Sequence, residues 1–347
     1  MITEKTNDMI DRYDNAVSYL QLTDEEKAFL FNNVNIFRGF RFSEKEGVSR
    51  GFRDLFEWKD GDLPAYLNPI VNTVEKSDYS FSKITHEVRK MNANTESLAF
   101  TSPYASAESE FKHQKENRQG VSSVDEYLLS QHILYKCKFM TDFDRVRITD
   151  GFYQAIRNAV HDEEADSREH CLALVKALNE WGYYVPQSFS LGGILYAEEI
   201  TTVDEMEKAS SDREDFSASF STSFRRIGGS GAYGGSWEND ESSSSSKKNE
   251  QKILYQIGGA AGASCDYTHW ATSMYDPKRW NLVGFDSFYP SLMLLRAYED
   301  DHKGACLLND CMNLIDAHLA DKSLLAMQTV IDLKRYTSSI RNKIYPY

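Results

Sequence analysis

The sequence predicts an α+β fold in which long strands come in two couples, each couple separated by an extended polar insert, with helices between the couples. Three observations lead there. Tyr127, Leu129, Ile133, Tyr135, Cys137 and Phe139 alternate with Ser130, His132, Lys136 and Lys138 over a stretch longer than the five or six residues usual for a strand. Val185, Gln187, Phe189 and Leu191 alternate with Pro186, Ser188 and Ser190 until Gly192 and Gly193 interrupt the pattern. A further run, Ile253 to Ile257, meets a second pair, Gly258 and Gly259. A glycine pair inside a strand marks a bulge, a sharp bend or a close backbone approach.

Taken in order, the N-terminal third mixes short amphipathic helices with irregular aromatic-rich stretches and is the least readable part. "TDEEKAFLFNNV" reads as a helix opened by Thr23. The first insert, from Leu98 to Val121, contains "AFTSPYASAESEF", which alternates weakly, and a charged "KHQKENRQ". After the long strand, one helix starts near Thr149 with Phe152, Ile156 and Val160 on a stripe. A second starts near Ser167 with Cys171, Leu174, Val175 and Leu178 together.

The second insert, Thr201 to Lys252, is expected to be exposed and partly helical or disordered, because its polar, Ser-rich composition cannot build a core. Within it, "DFSASFSTSF" sets Ser217, Ser219, Ser221 and Ser223 on odd positions and Phe216, Phe220 and Phe224 on even ones. On a strand this makes one hydroxyl face and one phenyl face. On a helix, residues four apart share a stripe, so the same phenylalanines line up again. Serine is a mediocre helix former, so such a helix is marginal in isolation. "IGGSGAYGGS" and "ENDESSSSSKKNEQK" follow as low-complexity sequence. The tail is helical from Leu307, with Leu308, Cys311, Met312, Ile315 and Leu319 on one stripe.

Composition narrows the function. A formal charge of −14 over 347 residues argues against nucleic acid and against charge-driven binding to anionic lipid. No apolar run approaches the roughly 18 to 20 residues of a membrane-spanning helix. The opening "MITEKTNDMIDRYDN" is polar and acidic where a secretory signal has a basic start and an apolar centre, so a cytoplasmic start is expected. The five cysteines lack C-x-x-C spacing, which favours neither a disulfide framework nor zinc.

His161, Glu164 and His170 in "HDEEADSREH" lack the H-E-x-x-H spacing of a metal pair. Cys265 and His269 in "CDYTHW" are close in sequence, which is not how nucleophile and base assemble. "GGSGAYGG" lacks the G-K-[ST] of a phosphate loop. No catalytic residue, cofactor or metal is expected.

Trp181 and Gly182, then six residues after Val185, then Gly192 and Gly193, resemble the signature of the membrane attack complex/perforin (MACPF) superfamily, which ends in the same glycine pair. The middle departs from it, with Tyr183, Tyr184 and Val185 in place of a small hydroxyl residue, a histidine and an aromatic. The surrounding order is also similar to that family: long strand, paired helices, signature strand, insert, "ILYQIGG", then Trp270, Pro277 and Trp280 ahead of "FYPSLMLL". The resemblance runs from about Ile84 to Leu295, within a single domain spanning 1–347 whose helical tail covers about 303–347.

The resemblance implies a bent, twisted four-stranded antiparallel sheet with flanking helices and two inserts, helical or disordered in the soluble form, that become membrane-crossing β-hairpins in a closed ring of subunits. It implies that Gly192, Gly193, Gly258 and Gly259 let the sheet straighten, as only glycine accepts the backbone angles of such bends, and that Trp181 braces the helix against that bend. Phe216, Phe220 and Phe224 then face lipid, and Ser217, Ser219, Ser221 and Ser223 face a wet lumen. Partners are other copies of the chain and a lipid membrane. The family usually carries a membrane-recognition domain after this core, and none is evident here. Either a separate membrane-recognising protein supplies targeting, as in two-component fungal systems, with export by a non-classical route, or the fold serves as a non-lytic intracellular scaffold.

Overall fold

A computed structural model describes residues 19–43, 47–59, 63–80, 83–91, 124–163, 165–203, 210–218, 220, 255–262, 266–298, 301–320 and 336–342. Three long antiparallel strands dominate it: β4 (Ala65–Ser80), β5 (Val124–Met140) and β7 (Tyr184–Val203). At about 3.4 Å per residue they extend roughly 55 to 70 Å. β5 lies between the other two, pairing with β4 from Ala65↔Met140 to Ser80↔Tyr127 and with β7 from Val124↔Val203 to Met140↔Ser188.

The fourth column of the sheet is shared by two strands on the far edge of β7. β9 (Asn281–Pro290) covers its first half, from Tyr184↔Pro290 to Gly192↔Asn281. β8 (Tyr255–Ile257) covers Ile194 to Tyr196 beyond it. A hairpin of β1 (Phe40–Ser43) and β2 (Gly47–Arg50) joins β7 at Phe40↔Tyr184, on the edge that β5 leaves free. The expected four-stranded sheet is thus four columns built from seven strands among the described residues. β3 (Phe56–Trp58) and β6 (Val146–Ile148) form a separate ribbon.

Helices thicken the half of the sheet where β7 begins. α1 (Asp24–Asn33) opens on the expected Thr23, whose side chain and that of Glu26 form a reciprocal capping box. α2 (Lys83–Lys90) follows β4 directly. α3 (Asp150–Val160) is capped by Thr149, and α4 (Ser167–Trp181) by Asp166 with Glu169. α5 occupies 210–218 and continues at 220. α6 (Tyr267–Ser273) sits between β8 and β9, α7 (Asp301–Ala320) starts six residues earlier than the stripe from Leu307 suggests, and α8 covers 336–342.

The main core lies at this thick end, where the Phe139 and Phe189 rings stack 5.6 Å apart and Phe31 meets both edge-on. α4 ends at Gly182, whose φ of 105° and whose approach to Gly39 leave no room for a side chain: a Cβ there would lie 2.6 Å from the Gly39 Cα. α8 returns to this junction. The Tyr336 hydroxyl accepts from the Leu292 N–H at 2.9 Å and donates to Ser291 Oγ at 3.0 Å, which in turn donates to the Gly182 carbonyl at 2.7 Å. All three side-chain bonds are buried, and the Tyr336 ring meets Tyr183 and Tyr184 edge-on.

Replacing Tyr336 by Phe keeps the ring but strands the Leu292 N–H. It is expected to lower unfolding stability by about 1–3 kcal/mol in a denaturant titration.

Candidate functional site

A line of irregularity crosses all four columns at one level. On β4 the register skips between Pro69 and Asn72; on β5 Lys136 is an extra residue between Tyr135 and Cys137, opposite Gly192 and Leu191. On the fourth column β9 stops at Gly192 and β8 starts at Ile194, with Gly258 and Gly259 turning away between them at φ 72° and 82°. Bulges bend and twist a strand locally, so their alignment makes a crease. The two glycine pairs meet in it: a Cβ on Gly258 would stand 2.7 Å from the Gly192 carbonyl oxygen and 3.3 Å from the Gly193 Cα.

The reasons for the glycines divide. Gly258 and Gly259 need their left-handed angles. Gly192 and Gly193 do not; they have ordinary strand φ and are required by space, which corrects the expectation that backbone angle explains all four. A Cβ on Gly192 would lie 2.0 Å from the Leu134 carbonyl oxygen, and one on Gly193 2.7 Å from Trp270 Cζ2 and 3.1 Å from Met274 Cε.

Trp270, on α6, fills the crease. It is fully buried, its Nε1–H donates to the Gly258 carbonyl at 3.2 Å, and its Cδ1 would stand 2.6 Å from a Cβ on Gly259. Ser273 fastens α6 by accepting from the Ala260 N–H and donating to the Trp270 carbonyl. The expected brace, Trp181, is buried at the opposite end of β7, against Phe152 and under Arg53. Trp181 ends α4 and therefore lies before β7 begins, out of reach of the bend.

Beside Trp270, His132 lies with its Nε2 3.3 Å from the Tyr267 hydroxyl and its Nδ1 3.4 Å from Glu75. Burial holds this imidazole below its ordinary pKa, with Glu75 opposing.

Beyond the crease, each face of the sheet carries one helix: α2, which precedes the first insert, and α5, within the second. Strand alternation places Glu126, Leu128, Ser130 and His132 on one face with Ala197 and Ser77 opposite them, and Tyr127, Leu129 and Gln131 on the other with Glu198 and Tyr196. α5 lies on the first face. Phe216 and Phe220 are 3% and 4% exposed and pack with Leu128, Ala197 and Tyr79 in a cluster separate from the main core. Ser217 donates to Ser77 at 3.1 Å, Ser77 and Ser130 share a bond of 2.7 Å, and Arg213 pairs with the buried Glu126 while covering the Tyr79 ring.

The helical reading of the serine ladder therefore holds in this state over 216–218 and at 220, and α5 is docked where an exposed segment was expected. Ser219, Ser221, Ser223 and Phe224 lie outside the described residues, as do the first insert, Leu98 to Val121, and the low-complexity sequence that follows the ladder.

α2 holds the second face. Glu198 accepts from His86 at 3.0 Å and from Lys90 at 3.1 Å, Gln131 donates to the Lys90 carbonyl, and Lys90 covers Tyr196. The bond from His86, together with the Lys90 charge, holds the Glu198 carboxyl below the usual range despite its burial.

A family model described as the fungal MACPF-like domain matches residues 36–301. The chain belongs to this family. The matched span begins well before Ile84 and takes in β1 to β4 as well as the crease of the MACPF sheet. Among solved structures, the chain is similar to GNIP1Aa from Chromobacterium piscinae, at 11% identity and TM-score 0.39, covering 81% of this chain and 54% of that one. It is also similar to a protein with a MAC/Perforin domain from Bacteroides thetaiotaomicron, at 12% identity and TM-score 0.34, covering 81% and 60%. The chain thus spans less than two thirds of either. No curated protein matches it.

The remaining sequence candidates are engaged separately in the MACPF domain. His161 pairs with Asp310, and His170 Nδ1 lies 3.0 Å from the Ala159 carbonyl oxygen. Glu164 and Cys265 are outside the described residues. What sequence reasoning missed is the contact set of Trp270, and the Glu126–Arg213 and Glu198–His86–Lys90 clusters. Trp270 and Gly193 are 77 positions apart and the charged partners 87 to 112, separations that carry no local signal of pairing.

Two outcomes follow from the crease. Gly193→Ala is expected to destabilise the chain by about 1–3 kcal/mol. Combining it with Trp270→Leu should cost less than the two separate losses added, as a double-mutant cycle of denaturation would show. For His132, the unfolded chain binds a proton near pH 6.5 and the folded chain only at lower pH, so stability is lost as pH falls below about 6.5. The melting temperature of His132→Gln should decline less over that range than that of the wild type.

Proposed function

We propose that this chain is a pore-forming protein, acting without covalent chemistry, that assembles into a ring and converts its two inserts into membrane-crossing β-hairpins. The observation that carries the reading is the seating of α5. The helix follows a long strand, lies over the polar half of the sheet beyond the crease, and is attached through a satellite cluster of few residues. Burying two phenylalanines contributes about 1.5–3 kcal/mol each before the entropy of holding the helix is subtracted. An element held so lightly can leave without dismantling the core.

Strand parity supports the same reading. Odd positions of β7 beyond the crease, Ala197 among them, share the face of Glu126 and Ser130. If β7 lengthens without a bulge, Ser217, Ser219, Ser221 and Ser223 join that polar face, and Phe216, Phe220 and Phe224 join the other. A barrel wall needs one wet face and one lipid face, and a tilted spanning strand takes about 9 to 11 residues. Ring assembly has its edges: among the described residues β4 pairs only with β5, and β8 with β9 forms the opposite border. Closing a ring by pairing such edges leaves no unpaired strand in the membrane.

Dye release from vesicles tests the reading, together with an environment-sensitive dye on single cysteines from 216 to 224 in a background cleared of native cysteines. The expected signals alternate with period two in the membrane and with period near 3.6 before it. Phe220→Arg should abolish release, at a cost of about 2–4 kcal/mol near the bilayer midplane. It should also loosen α5 in the soluble chain, since Phe220 is buried there. Release undiminished by charges at all three phenylalanines, or a helical period on the membrane, would move the reading to a non-lytic scaffold.

A further inference from the structure

The seat of α5 contains a charge pair where an apolar pair would be expected. The Glu126 side chain is fully buried, and its Oε1 accepts from Arg213. Its Oε2 has no hydrogen-bond partner among the described residues. Next to Glu126 on the same face stands Leu128, with Tyr79 across from Leu128; these two join Ala197, Phe216 and Phe220 in the apolar cluster under α5, beside the hydrogen-bonded Ser77, Ser130 and Ser217. Taking the Glu126 carboxylate out of water is costly while Arg213 keeps about a quarter of its side chain exposed, and with one oxygen unserved among the described residues the attraction offsets little more than that cost.

Such a pair has two opposite properties. Removing Arg213 is expensive, since the Glu126 carboxylate is left alone in a buried site. Removing the whole helix is not, because both charges regain water together. The pair therefore fixes where α5 sits without holding it strongly. Leucines of similar volume would hold it more tightly and choose its register less sharply.

We propose that Glu126 and Arg213 form a release catch: the pair registers the insert helix on the sheet and keeps its docking weak enough to reverse. The purpose of reversal rests on the pore-forming reading; the weak docking is a property of the soluble chain alone and is measured there.

Amide hydrogen exchange at 210–218 in the purified full chain provides the test. Arg213→Ala, which leaves the carboxylate buried and alone, should speed exchange in this segment at least about tenfold. Glu126→Leu combined with Arg213→Leu should slow it below the wild-type rate. Should the leucine pair misfold, Glu126→Gln with Arg213→Gln should still exchange no faster than the wild type. A leucine or glutamine pair exchanging as fast as Arg213→Ala would overturn the proposal, because the ion pair would then be what holds the helix. Wild-type exchange in Arg213→Ala would overturn it equally, as the pair would do nothing.

Dye release from vesicles of phosphatidylcholine, phosphatidylserine and cholesterol separates the two readings. Slower release by the leucine pair supports both. Absence of release by every variant, with the exchange order as expected, removes the pore-forming reading and leaves the catch standing.

Discussion

The arrangement of this protein depends on one indole ring placed where two strands have no side chains. Trp270 occupies the volume that Gly193 and Gly259 vacate, and its N–H is tied to Gly258. With that ring in place β8 and β9 cannot form one continuous strand, and the chain must turn out of the sheet between them. The bulge at Lys136 and the register skip on β4 continue the discontinuity across the remaining columns. On the α4 side of this line lies the aromatic main core; beyond it, among the described residues, one helix lies on each face, over strands whose side chains from Leu128 to Leu134 are buried on both sides. The boundary between the main core and the two satellite clusters therefore lies at a packing constraint among a handful of residues.

The two covering helices are attached by similar chemistry. In each case a carboxylate on the sheet receives basic side chains from the covering helix, Glu126 from Arg213 and Glu198 from His86 and Lys90. The surroundings differ. Glu198 is a quarter exposed and reaches water, whereas Glu126 is enclosed. The two attachments are therefore of unequal strength and unequal sensitivity to substitution, although both lie in the same stretch of sheet.

Sequence patterning made some of this visible and hid the rest for identifiable reasons. β5 and β7 were legible from apolar alternation, although that pattern does not report a single buried face: residues 128 to 134 are buried on both sides of the sheet, and the bulge at Lys136 moves Cys137 and Phe139 to the face opposite Tyr135. β4 was not: Pro69 argues against a strand, the skip before Asn72 breaks the parity, and "NTVEKSDYS" reads as polar surface. β9 was hidden similarly by three register shifts in its pairing with β7. The glycine pairs pointed to a close approach, but the ring that approaches, a dozen residues after Gly258, lies 77 residues from Gly193, and only the fold brings the two pairs to it. The ladder from Phe216 was readable both as helix and strand because a four-residue spacing is even, satisfying both periods.

The bonds from Tyr336 through Ser291 to the Gly182 carbonyl have a mechanical consequence. They clamp the root of β7 to the last described helix of the chain, so the strand is a cantilever: fixed at its base, notched at Gly192 and Gly193, and projecting from 194 to 203 beyond the notch. That projecting arm is roughly 34 Å long at about 3.4 Å per residue. A rotation of about 10° at the notch moves its tip by roughly 6 Å, more than the spacing between neighbouring strands. Small adjustments around Trp270 are thereby magnified at the end of the strand where the second insert begins, while the clamped base scarcely moves.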